Sequence, residues 1–287
     1  MDAFGSAGEW WLPEAPDDKV VGLVSYSESD GFRLAIPFGC LGDPFADFVS
    51  DGYRAPVVHG YLQDGRHVTL VDCLSLGVHL NMPGTARQEL RADKGLVSRS
   101  ELPDCNPVVD RVNLSYSRLR DWVVWHPSSC KRHENEADYH YETPDDTPLA
   151  SGSDWKLNLC HTASLSNVSV EGFQLGHDCS LLIELETPLP LEQVEDSLIR
   201  PLWTLLTFCV GSDVGMENLK AKVPGSGQWL EIGRHRSPYR AKDKIITEPF
   251  MLLSIRQIGN RVGDLVDRWL SLEGDVARAV SLLVGLI

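Results

Sequence analysis

Four potential metal ligands crowd one polar stretch of the chain: His126, Cys130, His133 and His140, with Glu134, Glu136 and Asp138 beside them. Imidazole and thiolate are zinc ligands, and a metal can order a loop that lacks a core of its own. The spacing H-x3-C-x2-H-x6-H matches no familiar zinc module, and histidines in a polar loop are ordinarily solvated. These four are therefore weak metal candidates, and no cofactor is expected. Cys160-His161 and His177/Cys179 could supply a thiol and a base for nucleophilic catalysis. Nearness in sequence is poor support for nearness in space, so packing is their expected role. The chain has no G-x-S-x-G elbow, no G-x-G-x-x-G turn and no G-x4-G-K-[ST] phosphate loop. No catalytic residue is assigned.

One segment stands against an acidic background. Arg234, Arg236, Tyr239, Arg240, Lys242 and Lys244 fall within eleven residues. Arginine and tyrosine are enriched in protein hot spots and in contacts with single-stranded RNA, so this is the candidate partner-binding segment. The chain as a whole points away from nucleic acid. It carries 26 Lys and Arg against 41 Asp and Glu, a formal net charge of −15, and phosphate binding needs clustered cations. Seven scattered cysteines, odd in number and without a C-x-x-C pair, fit reduced thiols in a reducing compartment. Met1 to Gly5 has neither the basic region nor the apolar run of a signal peptide, and no apolar stretch is long enough to span a bilayer. A cytoplasmic protein is expected, with no membrane partner.

The elements that must position these residues are mostly strands. Trp10-Trp11 leads, through a turn at Pro13 to Asp18, into Val20–Tyr26 and then Gly31–Ile36, where Phe32, Leu34 and Ile36 alternate with polar or small residues. Val57–Leu62 and Val68–Asp72 flank Asp64-Gly65, a hairpin signal, since glycine supplies the positive φ of the turn. Residues 82 to 107 look like a long connection with at most one short helix or strand, and 127 to 153 like a poorly ordered polar surface stretch. Between them strands run from Val108 through Trp122–Trp125; beyond them come Trp155–Cys160, Val168–Val170 and Leu181–Leu185. At Pro190 the period changes to 3.6. Leu191, Val194, Leu198, Leu202, Leu205 and Cys209 form one helical stripe, kinked at Pro201 and capped by Gly211. Gly225-Ser226-Gly227 reads as a hairpin tip, a β segment follows at Trp229–Ile232, and a second helical pattern runs from about Phe250 through Trp269.

The fold class expected is α+β and β-dominated: antiparallel, sandwich-like sheets in one or two modules, a kinked helix near 190–211, and C-terminal helices. Residues 1–189 form the β-rich region (about 1–84 and 108–189 if it is two modules), and 190–287 the helical one.

Several of these segments resemble the N-terminal domain of ApeA-like proteins, a bacterial anti-phage family. The resemblance lies in the opening order Gly8–Pro13 and Val20–Tyr26, in His59-Gly60 with Asp64-Gly65 and Leu70-Val71-Asp72, in Tyr116-x-x-Leu119-x-x-Trp122, and in the helix from Pro190 to Gly211. In that family a β-rich front half precedes a C-terminal HEPN ribonuclease domain. The resemblance implies a sensor and regulatory region that recognises a phage-derived protein trigger and controls the HEPN domain in abortive infection. RNA would be met only through that domain, and the full-length protein would be a homo-oligomer. The HEPN active-site pattern Arg-x4-6-His occurs at Arg54/His59 and Arg120/His126, about as often as composition alone produces. No enzymatic role is expected for these residues. The chain ends at Val284-Gly285-Leu286-Ile287 inside an apolar pattern, which another subunit would cover or which marks a polypeptide cut before the HEPN domain; the second is preferred. Two alternatives stand beside this reading: a metal-dependent hydrolase using the histidine-rich loop, and a carbohydrate-binding β-sandwich with Trp10, Trp11, Trp122 and Trp125 as its platform.

Overall fold

Period-two alternation in the first hundred residues builds six strands: β1 (Phe4–Leu12), β2 (Ala15–Ser27), β3 (Gly31–Ile36), β4 (Arg54–Leu62), β5 (His67–Asn81) and β6 (Thr85–Ser98). In the computed structural model they belong to the first of two compact units, Met1–Val109 with Asn218–Tyr239. The second unit is Asp110–Glu217 with Arg240–Ile287. The structure describes residues 1, 3–42, 54–81, 85–100, 102–123, 128–132, 137–169, 172–234 and 251–272.

The six strands close into an antiparallel barrel. β1 pairs with β2 and β4, β2 with β3, β4 with β5, and β6 with both β5 and β3. Closure satisfies the strand edges that an open sheet would leave exposed. β6 holds β5 along one side and two partners in succession along the other. β3 takes Gln88–Ala92, and β14 (Trp229–Arg234) takes Lys94–Val97. Outside β14 lies β13 (Met216–Lys222), paired through Lys220–Lys222.

Trp10, Phe32, Leu34, Ile36, Leu62, Leu70 and Leu90 fill the barrel and are almost wholly buried. Two of the rings fit because the backbone facing them carries no side chain. A Cβ on Gly60 would lie 2.4 Å from the Trp10 ring, and one on Gly95 2.4 Å from the Phe32 ring. Gly60 is the cross-strand partner of Trp10, and the Trp10 indole N–H donates to the Gly22 carbonyl of β2 at 3.3 Å. One side chain thus ties β1 to both of its neighbours.

Residues 82–107, expected as a connection with at most one short element, carry the 14-residue strand β6. Its inward row runs Gln88, Leu90, Ala92, Lys94 and Leu96, all buried, and the two polar members hide the alternation. Gln88 is satisfied inside the barrel, where its Oε1 accepts the Leu41 N–H at 2.9 Å.

The second unit contains a sheet of order β10-β11-β12-β7. Its strands are β7 (Val108–Tyr116), β10 (Thr147–Ser151), β11 (Trp155–Ser169) and β12 (Gly172–Pro190). β8 (Ser128–Arg132) and β9 (Ala137–Tyr141) pair as a separate ribbon. The stretch 127–153, expected as a poorly ordered polar surface, therefore carries three short strands. Trp122, expected on a strand, lies on a short helix α1 (Leu119–Val123) with Leu119, Trp122 and Val123 buried.

The helix expected after Pro190 runs over 191–210 as α2, and all six residues of the stripe are buried. It is built from Leu191–Val194, a π-helical turn Glu195–Ile199 and Arg200–Val210. The widened turn lies immediately before Pro201. A proline ring crowds the carbonyl four residues back, and under-winding relieves that clash without ending the helix. Gly211 closes α2 with φ +69°, as its left-handed cap position requires. The second helical pattern becomes α3 (Ile255–Ile258), opened by a capping box between Ser254 and Gln257, and α4 (Val262–Leu270).

Two outcomes test this arrangement. Gly60→Ala should destabilise the protein by about 1–3 kcal/mol through overpacking against Trp10, read as a lowered urea midpoint, while Gly227→Ala, which meets open space, should leave it unchanged. His59 Nδ1 lies 3.1 Å from Thr69 Oγ1, and burial holds its pKa below 6.5 although Asp104 acts in the opposite sense. The folded state resists the proton, so this contribution is complete above pH 6.5 and is lost as pH falls below it. A thermal midpoint that declines on acidification below that pH, with a shallower decline in His59→Gln, is expected.

Candidate functional site

Antiparallel pairing of β11 with β12 sets Cys179 directly opposite His161 and His177 opposite Ala163. Residues two apart on a strand share a face, as do cross-strand partners. His161, His177 and Cys179 therefore share one face of the hairpin. His161 Nδ1 and His177 Nε2 are 3.1 Å apart. The Cys179 thiol is 3.6 Å from the first nitrogen and 3.9 Å from the second. The two imidazole planes are nearly parallel, at 12°. His177 and Cys179 are buried, and His161 is partly open to solvent.

Two more side chains frame the cluster. Arg120, from α1, donates to the His177 carbonyl at 3.4 Å. Tyr141, at the end of β9, meets the His177 ring edge-on at 6.2 Å, and its hydroxyl is buried without a hydrogen-bond partner among the described residues.

Burial decides the protonation states. It lowers the pKa of His161, against a smaller opposing effect from Asp146. It also lowers that of His177, and the charges of His161 and Arg120 act in the same direction. Burial pushes the Cys179 thiol up to about 11, with Arg120 opposing and Asp178 adding to the rise. An active nucleophilic cysteine needs the reverse, a thiolate favoured beside an imidazolium. The cluster is instead three neutral donors gathered at one point. Cys160 is not part of it: strand alternation turns it to the other face, where burial and then Asp146 raise its pKa to about 12.

The other candidates fare differently. His140 is exposed on β9, and Cys130 pairs with Tyr139 through the backbone; His126, His133 and the Cys130 side chain lie outside the described residues. Arg234 ends β14 opposite Lys94, while Arg236, Tyr239, Arg240, Lys242 and Lys244 lie outside the described residues. Trp10 and Trp122 are buried and their indole N–H groups are bonded to backbone carbonyls, so they do not form a carbohydrate platform; Trp125 lies outside the described residues. A strand ending at Cys160, as the sequence pattern predicts, would leave His161 outside the sheet; β11 continues to Ser169 and brings the three residues together.

Cys179 should behave as a protected thiol. With its pKa at about 11, about one molecule in a thousand holds the thiolate at pH 8. Iodoacetamide at that pH should leave it unmodified in the folded protein and label it in urea, as peptide mapping will record.

Comparison with curated proteins and with solved structures returns no match. Among the described residues no helix is long and apolar enough to cross a membrane. Comparison with family models matches residues 5–269 to the ApeA N-terminal domain 1. That span takes in the barrel strands, the β11–β12 hairpin, α2 and α4 as far as Trp269. With most of its 287 residues matched, the chain belongs to the ApeA N-terminal domain 1 family and is an anti-phage ApeA-like N-terminal region.

Proposed function

We propose that this region is the sensor of an abortive-infection protein: it recognises a phage-derived protein in the bacterial cytoplasm and controls a C-terminal HEPN ribonuclease in the same polypeptide. The carrying observation is the family match over residues 5–269. In this reading the chain has no catalytic role of its own, RNA is met only by the HEPN domain, and the whole protein is a homo-oligomer.

Control requires only that the trigger bind one arrangement of the sensor better than another. The shift it can cause is bounded by that difference in affinity. The contact between α2 and α4 offers a suitable lever. Trp269 Nε1 donates to the Pro201 carbonyl at 3.0 Å, and the Trp269 ring lies 5.7 Å from that of Phe208. Both contacts fall on the part of α2 that begins at its π-helical turn. A displacement of α2 would therefore be felt by α4, the last helix of the matched span.

Co-expression of the full-length protein with individual phage proteins, scored for growth arrest, tests the reading. At least one trigger should arrest growth, and no trigger across a complete set would overturn sensing. Trp269→Phe keeps the ring on Phe208 and removes the hydrogen bond, at a cost of about 1 kcal/mol. The variant should fold, and its arrest should lose its dependence on the trigger; an unchanged response would remove this lever from the pathway.

A further inference from the structure

We propose that His161, His177 and Cys179 bind a zinc-class divalent ion, with three protein ligands and a fourth position left to water. Neither the family match nor the sequence reading, which expected no cofactor, assigns such a site.

The separations of the three donor atoms match those of a tetrahedral zinc site. Zinc–nitrogen bonds of about 2.0–2.1 Å and a zinc–sulfur bond of about 2.3 Å, set at tetrahedral angles, put two nitrogens about 3.3 Å apart and sulfur about 3.6 Å from each. The corresponding separations are 3.1, 3.6 and 3.9 Å. The three donor atoms already span the edges of one tetrahedral face, and binding would exchange the hydrogen bond between the two ring nitrogens for bonds to a common centre.

The donor chemistry selects the metal. Two imidazoles and a thiolate suit zinc and exclude calcium and magnesium, which take oxygen ligands. Both imidazoles are already neutral, the form that ligates. Ligation takes one proton from the Cys179 thiol to the buffer, and the proton between His161 Nδ1 and His177 Nε2 moves to a remote ring nitrogen of its own imidazole. The partial exposure of His161 provides the way in. The ring of Tyr141 stands edge-on to that of His177, and its buried hydroxyl has no hydrogen-bond partner among the described residues, a need that an ordered water would meet.

The register makes this a cross-strand clasp. Cys179 and His177 come from β12 and His161 from β11, so the ion would pin the hairpin where it packs against α1 through Arg120. A metal held this way stabilises the folded state and leaves the unfolded chain little changed.

The purified chain, stripped with chelator and re-equilibrated with zinc chloride, tests the site. One zinc per chain should remain after gel filtration, with a raised thermal midpoint. Cobalt substitution should give a sulfur-to-cobalt charge-transfer band in the near ultraviolet and tetrahedral d–d bands in the visible. Cys179→Ser should abolish the charge-transfer band, and His161→Gln should weaken binding by more than ~100-fold, beyond what loss of a supporting group costs. His161 is partly exposed, so its variant keeps the test valid should Cys179→Ser fail to fold. The proposal is overturned if wild-type chain retains no zinc, if cobalt binds without the charge-transfer band, or if binding is lost in Cys130→Ser and survives in His161→Gln.

Discussion

Trp10 lies against the bare backbone of Gly60 and donates its indole N–H to Gly22, so one side chain binds the strands on both sides of β1. The barrel depends on this contact, because a ring of six strands closes only where its bulkiest residues find space across the sheet. Phe32 repeats the device where β3 gives way to β14 along β6. A Cβ on Gly95 would lie 2.4 Å from its ring, and one on Gly233 2.7 Å. Bulk on one strand and glycine on its neighbour set the register, and a slip by one residue would turn every buried side chain outward.

Register governs the second unit as well. The β11–β12 hairpin is long, and parity along it decides which chemistry is possible. His161 meets Cys179 and Cys160 does not, because adjacent residues face opposite ways. The same parity buries Leu157, Leu159, Leu181 and Ile183, so the sheet that holds the cluster is anchored by its apolar rows. Rigid strands suit convergent ligands better than a loop would, since no ordering entropy is left to be met at binding.

Helix α2 shows how a local conflict becomes a feature. Its stripe of Leu191, Val194, Leu198, Leu202, Leu205 and Cys209 commits one face to the interior, while Pro201 would break a regular helix. Burial outweighs the lost backbone bond, and the π-helical turn absorbs the strain. The Tyr116 hydroxyl donates to the Ile199 carbonyl within this turn at 2.9 Å, and Trp269 takes the Pro201 carbonyl. Two carbonyls of this stretch thus accept side-chain donors from outside the helix.

Local pattern alone determined much of this protein. The stripe of α2, its glycine cap, the Asp64-Gly65 turn and the alternation of Phe32, Leu34 and Ile36 all follow from periods of 3.6 and two, which neighbouring residues impose on one another. β6 escaped that reading because Gln88 and Lys94 stand in its inward row, and Trp122 because a five-residue helix is too short to show a period. Barrel closure and the meeting of His161, His177 and Cys179 were decided only by tertiary structure. Both are pairings between separate strands, and their geometry depends on register, a relation that no single strand carries.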